Sequence, residues 1–310
     1  MNSKTLITFG CSWTFGIGVG YQEPMTKSGL REISHDEDIC KKKSFRGLLS
    51  QRYQFDNLNF SQGGSSNQKQ FRRAKHFFSS KQFEHLKDTQ DEIIVLWGIT
   101  STARTEVFSI LDNKVLDFFL KEEDGLIQRF VSKYIHDHEH EVFSLAEEML
   151  HWNQFFKSQN IKNYWFDTFN HHDYFVNDPS LINFKKDYNR CAGADWPEWQ
   201  DYLDRKFDFD SEIAQEILDT ARFQFSQFIR TSQIDNFVID HPSHRDLMSQ
   251  LAINHGLDNP DSNYHLSDWT IDSDRVEFLV SQKLLNPHSH HPTELGHQLI
   301  ANMFDHIFAK

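Results

Sequence analysis

A chain of 310 residues with 32 Lys and Arg against 45 Asp and Glu carries a formal net charge of −13, which excludes the broad basic face that nucleic acid or an anionic membrane requires. The apolar fraction is only 38%, but 29 Phe residues bring large buried areas, so a packed globular core is expected rather than disorder. Three cysteines, Cys11, Cys40 and Cys191, without a CxxC pair, argue against a disulfide framework or a structural zinc site and suit a reducing compartment.

In chain order, TLITFG (Thr5–Gly10) is a short apolar run closed by a turn and predicts the first strand. SFRGLLSQRY (Ser44–Tyr53) has helical spacing, and FDNLNFS (Phe55–Ser61) predicts a second strand. SSNQKQFRRAKHFFSS follows as a helix that Ser65 or Ser66 can cap. DEIIVLWG (Asp91–Gly98) is a continuous apolar run ending in Gly98, the pattern of a parallel strand buried on both faces. Val142, Leu145, Ala146, Met149, Trp152 and Phe156 keep a period of about 3.6, predicting a long helix over Glu139–Ser158. IKNYWFDTF (Ile161–Phe169) predicts a fourth strand, and Ile213 to Ile229 a further helix. NFVID (Asn236–Asp240) is either a strand end or the lead into a helix after Pro242. Thr293 caps a last helix whose apolar face runs Leu295, Leu299, Ile300, Met303, Phe304, Ile307. Alternating strands and helices predict an α/β fold with a parallel sheet. No span of ~18 apolar residues and no signal-type segment occurs, so a cytoplasmic protein without a membrane partner is expected.

The glycine-rich stretch TFGCSWTFGIGVG (Thr8–Gly20) invites several readings. It lacks the GxxxxGK[ST] of a phosphate loop, and its glycines at Gly16, Gly18 and Gly20 miss the third position of GxGxxG. The GxSxG elbow also fails, because Thr14 stands at its last glycine. GCSWTFG (Gly10–Gly16) does match G-D-S-x-T-x-G at every fixed position except the Asp, replaced by Cys11. At the other end, HSHHPTELGHQLIA (His288–Ala301) holds His291-Pro292, then Gly296-His297, then a helix.

These two blocks resemble the first and last blocks of the SGNH/GDSL hydrolase family of esterases and lipases. The resemblance covers about the first hundred residues and the last twenty. It implies a three-layer, flavodoxin-like parallel sheet flanked by helices, in a single domain over 1–310. A large, mainly helical insertion over approximately 107–235 would elaborate it as a substrate cap. It also implies Ser12 as the nucleophile after the first strand and His291 as its base. The backbone N–H groups of Ser12 and Gly64 (Gly63 being the alternative) would form the oxyanion hole, completed by Thr100, or by Asn67 reaching in from the neighbouring loop. A serine hydroxyl needs such a base to become nucleophilic, and the oxyanion needs preorganised donors. Three further family positions differ: Thr100 and Ser101 stand where Asn and Asp are usual after the third strand, and His288 stands at the place of the triad Asp. An imidazole at 288 cannot orient His291 as a carboxylate does. The role falls to Asp268, Asp272 or Asp274, or to a backbone carbonyl behind a Ser–His dyad, or the site has kept binding and lost hydrolysis.

Cys11 reads as a small buried residue beside Ser12 rather than the reactive atom. Arg104 and Glu106 follow the third strand, where Arg104 suits a carboxylate, a sugar hydroxyl or a phosphate, or forms a surface ion pair. Trp13 and Trp97 lie beside the expected site and either stack on substrate or pack in the core. The histidine clusters HDHEH (His136–His140), NHHDY and DHPSHRD lack HExxH and read as solvated segments, so no metal and no cofactor is expected. The expected function is an SGNH-type serine esterase or deacylase acting on a small-molecule or carbohydrate ester, with an acyltransferase as a variant. The rival is an impaired binding or structural protein on the same fold.

Overall fold

The computed structural model describes residues 3–21, 37–102, 104–109, 114–119, 138–168, 236–238, 246–258 and 274–309. Its elements in chain order are β1 (Lys4–Phe9), α1 (Ser12–Phe15), α2 (Glu37–Lys43), α3 (Phe45–Tyr53), β2 (Asp56–Asn59), α4 (Asn67–Phe78) and α5 (Lys81–Thr89). There follow β3 (Glu92–Ile99), β4 (Arg104–Ser109), β5 (Lys114–Phe119), α6 (His138–Ser158), β6 (Lys162–Asp167), α7 (Leu247–Asn254), α8 (Asp274–Ser281) and α9 (Glu294–Phe308). The predicted helix over 213–229 lies outside the described residues.

The chain is α/β, as expected. Four strands form a parallel sheet in the order β2-β1-β3-β6, and isolated parallel bridges from Trp165 to Phe237 and from Asp167 to Asp246 continue it beyond β6. The central strand β3 is buried from Ile93 to Ile99, which explains its unbroken apolar run: helices cover both of its faces. Alternate residues divide the core in two. On one face Phe9, Trp97 and Trp165 stack across three strands with centroids 4.3 and 5.1 Å apart. Phe71 of α4 and Trp152 and Phe156 of α6 pack on that ladder. On the other face Leu6, Ile94, Leu96 and Phe166 meet Phe45 and Leu49 of α3, Leu251 of α7, Leu279 of α8 and Ile300 and Phe304 of α9.

Two details differ from the sequence reading. The helix predicted from Ser65 to Ser80 is present as α4, but a second helix that was not predicted, α5, follows it at once: Ser66 caps α4 by accepting from Lys69 N (3.1 Å), and Ser80 caps α5 by accepting from Phe83 N (3.3 Å). The Ser79 and Ser80 hydroxyls bond back to the carbonyls of Lys75 and Phe77, so the pair both ends one helix and starts the next. The segment after β3 is an antiparallel hairpin, with Arg104 opposite Phe119 and Ser109 opposite Lys114, where a mainly helical insertion was expected to begin at about 107.

The chain divides into two compact units. The first comprises 1–119, 151–172 and 235–310 and holds the sheet; the second comprises 120–150 and 173–234. Thus 107–119 and 151–172, inside the expected insertion, belong to the first unit, and they bring it most of the hairpin and β6. Among the described residues no helix is long and apolar enough to cross a membrane.

Candidate active site

The strand order places the switch point between β1 and β3: the chain leaves β1 toward β2 on one side and returns to β3 on the other. Ligands of open parallel sheets bind in the crevice at the carboxyl ends of such strands. Ser12 lies there, as the first residue of α1 and 4% exposed. The turn that carries it is fixed by packing. The Thr14 side chain fills the space that a Cβ on Gly10 or on Gly98 would enter, so α1 closes against β1 and β3 at once. Cys11 is the N-cap residue, buried, with no capping bond from its side chain. Gly16 ends α1 in the left-handed conformation and donates to Ser12 O at 3.0 Å.

Gly18 connects this turn to the other end of the chain. Its φ is +101°, and a Cβ there would lie 2.5 Å from Pro292 O and 3.0 Å from His291 Cβ. The GIG of the motif therefore abuts the turn that bears His291. That turn closes with Asn286 N donating to His291 O (2.9 Å) and an antiparallel bridge between Leu285 and Pro292. Thr293 then caps α9, accepting from Gly296 N at 3.2 Å. His291 Nδ1 is 2.9 Å from Ser289 Oγ. Burial first, then the nearby Arg104 guanidinium, hold His291 well below the ordinary 6.5; the Ser289 backbone acts the other way. His297, one turn into α9, is fully buried, and its Nδ1 accepts from Phe45 N (3.3 Å). Burial pushes it down to about 3.

The loop after β2 is fastened beside Ser12 by Gln62 N donating to Gly10 O at 3.0 Å. Gly64 has φ +70° and open space around its Cα, whereas a Cβ on Gly63 would touch Ile17. Neither glycine N–H bonds a backbone carbonyl among the described residues. The Asn67 carboxamide brackets the residue after β3: Nδ2 donates to Thr100 O (2.7 Å) and Oδ1 accepts from Thr100 N (2.9 Å). Thr100 is fully buried and its Oγ1 has no hydrogen-bond partner among the described residues. Arg104 opens β4 and is 4% exposed, so it is not a surface ion pair; Glu106 instead pairs with Arg72 at 2.6 Å.

Ser12, Gly64, Asn67, Thr100, Arg104 and His291 thus come from the segments that follow β1, β2 and β3 and from the turn before α9. Three predicted residues do not take the expected places. His288 is exposed and lies edge-on to Tyr21 with centroids 6.0 Å apart; the group on His291 Nδ1 is Ser289. Trp97 is sealed inside the aromatic ladder and Trp13 inside the opposite core, both at 1% exposure or less, so neither has a ring face for a ligand. Asp268 and Asp272 lie outside the described residues, and Asp274 starts α8. Ser12 and His291 make no hydrogen bond to each other among those described. No group of three His, Cys, Asp or Glu suited to a metal occurs among the described residues. Of the histidine clusters, residues 136, 137, 171–173 and 240–245 fall outside them, and Asp246 is in a buried ion pair with Arg275 (3.0 Å). Sequence reasoning missed Ser289 and Asn286, although Asn286-Pro287 is a turn-starting dipeptide.

No family model and no curated protein matches the sequence. Among solved structures the chain is similar to a member of the lipolytic protein G-D-S-L family from Veillonella parvula (9% identity, 99% and 100% of the two chains, TM-score 0.37). It is also similar to the acetyl xylan esterase AlAXEase (12%, 98% of both chains, TM-score 0.37) and to the psychrotrophic esterase EstA from Pseudoalteromonas sp. (11%, 97% and 94%, TM-score 0.37).

Proposed function

We propose that the protein is a serine esterase or deacylase of SGNH type that acts on a small-molecule or carbohydrate ester through a Ser12 acyl-enzyme. The observation that carries this reading is the meeting of the Ser12 turn and the His291 turn at the switch point, joined across Gly18. Ser12 Oγ attacks the ester carbonyl as His291 takes its proton. The N–H groups of Ser12 and Gly64 and the Thr100 hydroxyl receive the oxyanion. His291 returns the proton to the leaving alcohol, and water repeats the sequence to release the acid. Asn67 holds the Thr100 backbone in place rather than facing the oxyanion. Arg104, beside His291, favours substrates with a carboxylate or hydroxyls near the scissile bond.

The test is labelling with a fluorophosphonate and turnover of short-chain nitrophenyl esters, each compared with Ser12→Ala. Labelling is expected to vanish and turnover to fall on the order of 10⁴-fold or more in the variant. Well-folded protein that neither labels nor turns over would favour the binding-protein reading. One observation points that way, the missing Ser12–His291 hydrogen bond, although such bonds commonly tighten only when substrate is bound.

A further inference from the structure

We propose that Asn286 and Ser289 together replace the missing triad carboxylate, as a neutral relay that fixes the proton of His291 on Nδ1 and leaves Nε2 as the base. The inference rests on the esterase reading for its purpose, but its geometry is independent of that reading.

The direction of each hydrogen bond is set by the groups available. Asn286 is fully buried. Its Oδ1 accepts from two backbone N–H groups, His288 N (3.2 Å) and Ser289 N (2.8 Å), while Nδ2 donates to His291 O (3.0 Å). Two backbone donors can face only the oxygen of an amide, so the side chain cannot be flipped. Ser289 Oγ is 3.0 Å from the same Oδ1. That atom has no proton to give, so the contact uses the single proton of the serine hydroxyl. Ser289 Oγ then has only lone pairs left for His291 Nδ1 at 2.9 Å, and the ring must donate. Neutral His291 is therefore protonated at Nδ1, the tautomer in which Nε2 can accept the proton of Ser12.

A triad carboxylate does three things: it orients the ring, selects the tautomer and stabilises the imidazolium. The relay supplies the first two without a charge for the third. Among the described residues, Arg104 and His290 disfavour the imidazolium and the Ser289 backbone favours it. The relay therefore makes a well-aimed but weak base, whose kcat/KM persists below the pH at which an ordinary imidazole is protonated. Asn286 and Ser289 are positioning residues, because they act through His291.

The test reads the ring before it reads the reaction. Imidazole ¹⁵N shifts of His291 in the full chain near neutral pH are expected to show a protonated Nδ1 and a bare Nε2. Ser289→Ala should abolish that preference and lower kcat about 10- to 100-fold, the loss seen when the hydrogen-bond partner behind a metal-ligating histidine is removed, with KM little changed. Ser289→Thr, which keeps the hydroxyl, should restore both. A wild-type ring protonated at Nε2, or a Ser289→Ala variant with the Nδ1 tautomer and kcat intact, overturns the relay. The Nδ1 signature in a protein that never labels at Ser12 would sustain the relay and sink the esterase reading, so the two failures are distinguishable.

Discussion

The Ser12 turn and the His291 turn build one site by opposite means. The first is built by van der Waals packing: Thr14 against the bare Cα atoms of Gly10 and Gly98, and Gly18 against the facing turn. Its side chains make few polar bonds, and its form follows from which positions can lack a Cβ. The second is built by hydrogen bonds centred on one buried amide, Asn286, that bonds residues 288, 289 and 291. A packed turn tolerates change outside its close approaches, which is why Cys11 can occupy the usual Asp position. A bonded turn tolerates changes of side chain if another group closes the network, and here Ser289 takes the place on His291 Nδ1.

The largest effect that separates the two concerns Thr100, which neither turn supplies. Its buried Oγ1 has no partner among the described residues, so Thr100→Val removes a donor without breaking a bond found there. We expect kcat for nitrophenyl esters to fall about 10²-fold, with Tm unchanged or raised, since an orphan hydroxyl is lost. A kcat within twofold of wild type would remove Thr100 from the oxyanion hole.

The seam between the turns is next. His297 reaches from α9 to Phe45 N and lies close to the Ile17 backbone. Its folded value is about 3 against an ordinary 6.5, so the unfolded chain binds the additional proton between those limits. Stability from this group is complete above about 6.5 and is lost as pH falls toward 3. At pH 5 the loss is about 2 kcal/mol, measurable by urea unfolding across pH, and His297→Gln should remove that share of the acid limb while the share of His291, lowered in the same direction, remains. An unchanged acid limb in the variant would assign the pH dependence elsewhere.

The smallest effect sharpens the contrast between glycines. Both Gly18→Ala and Gly64→Ala place a Cβ at positive φ, costing about 1–2 kcal/mol each. Only at Gly18 does the new atom also meet Pro292 O and His291 Cβ. Gly18→Ala should therefore lower Tm by several degrees more than Gly64→Ala and should disturb the His291 ¹⁵N signals, which Gly64→Ala leaves alone. Equal Tm losses with unchanged His291 signals would show that the turns are not in register through Gly18.

The sheet was legible in the sequence because parallel strands buried on both faces leave continuous apolar runs, as at Glu92–Ile99. The caps at Ser66 and Thr293 were legible because a hydroxyl at a helix start has a local cause. The hairpin of β4 and β5 was not, since its pairing joins residues whose local pattern lacks a two-residue turn signal. Nor were the fates of Trp13, Trp97 and His288, because exposure is set by neighbours far along the chain.

What the sequence determined by itself is the pair of blocks: a serine after the first strand and a histidine before the last helix, each with local rules for its turn. Only the tertiary structure decided how His291 is held. Asn286 and Ser289 are ordinary turn residues until the chain closes at Leu285 and Pro292. They then become a directed set of hydrogen bonds, because hydrogen-bond direction depends on the full circle of donors and acceptors and not on residue spacing.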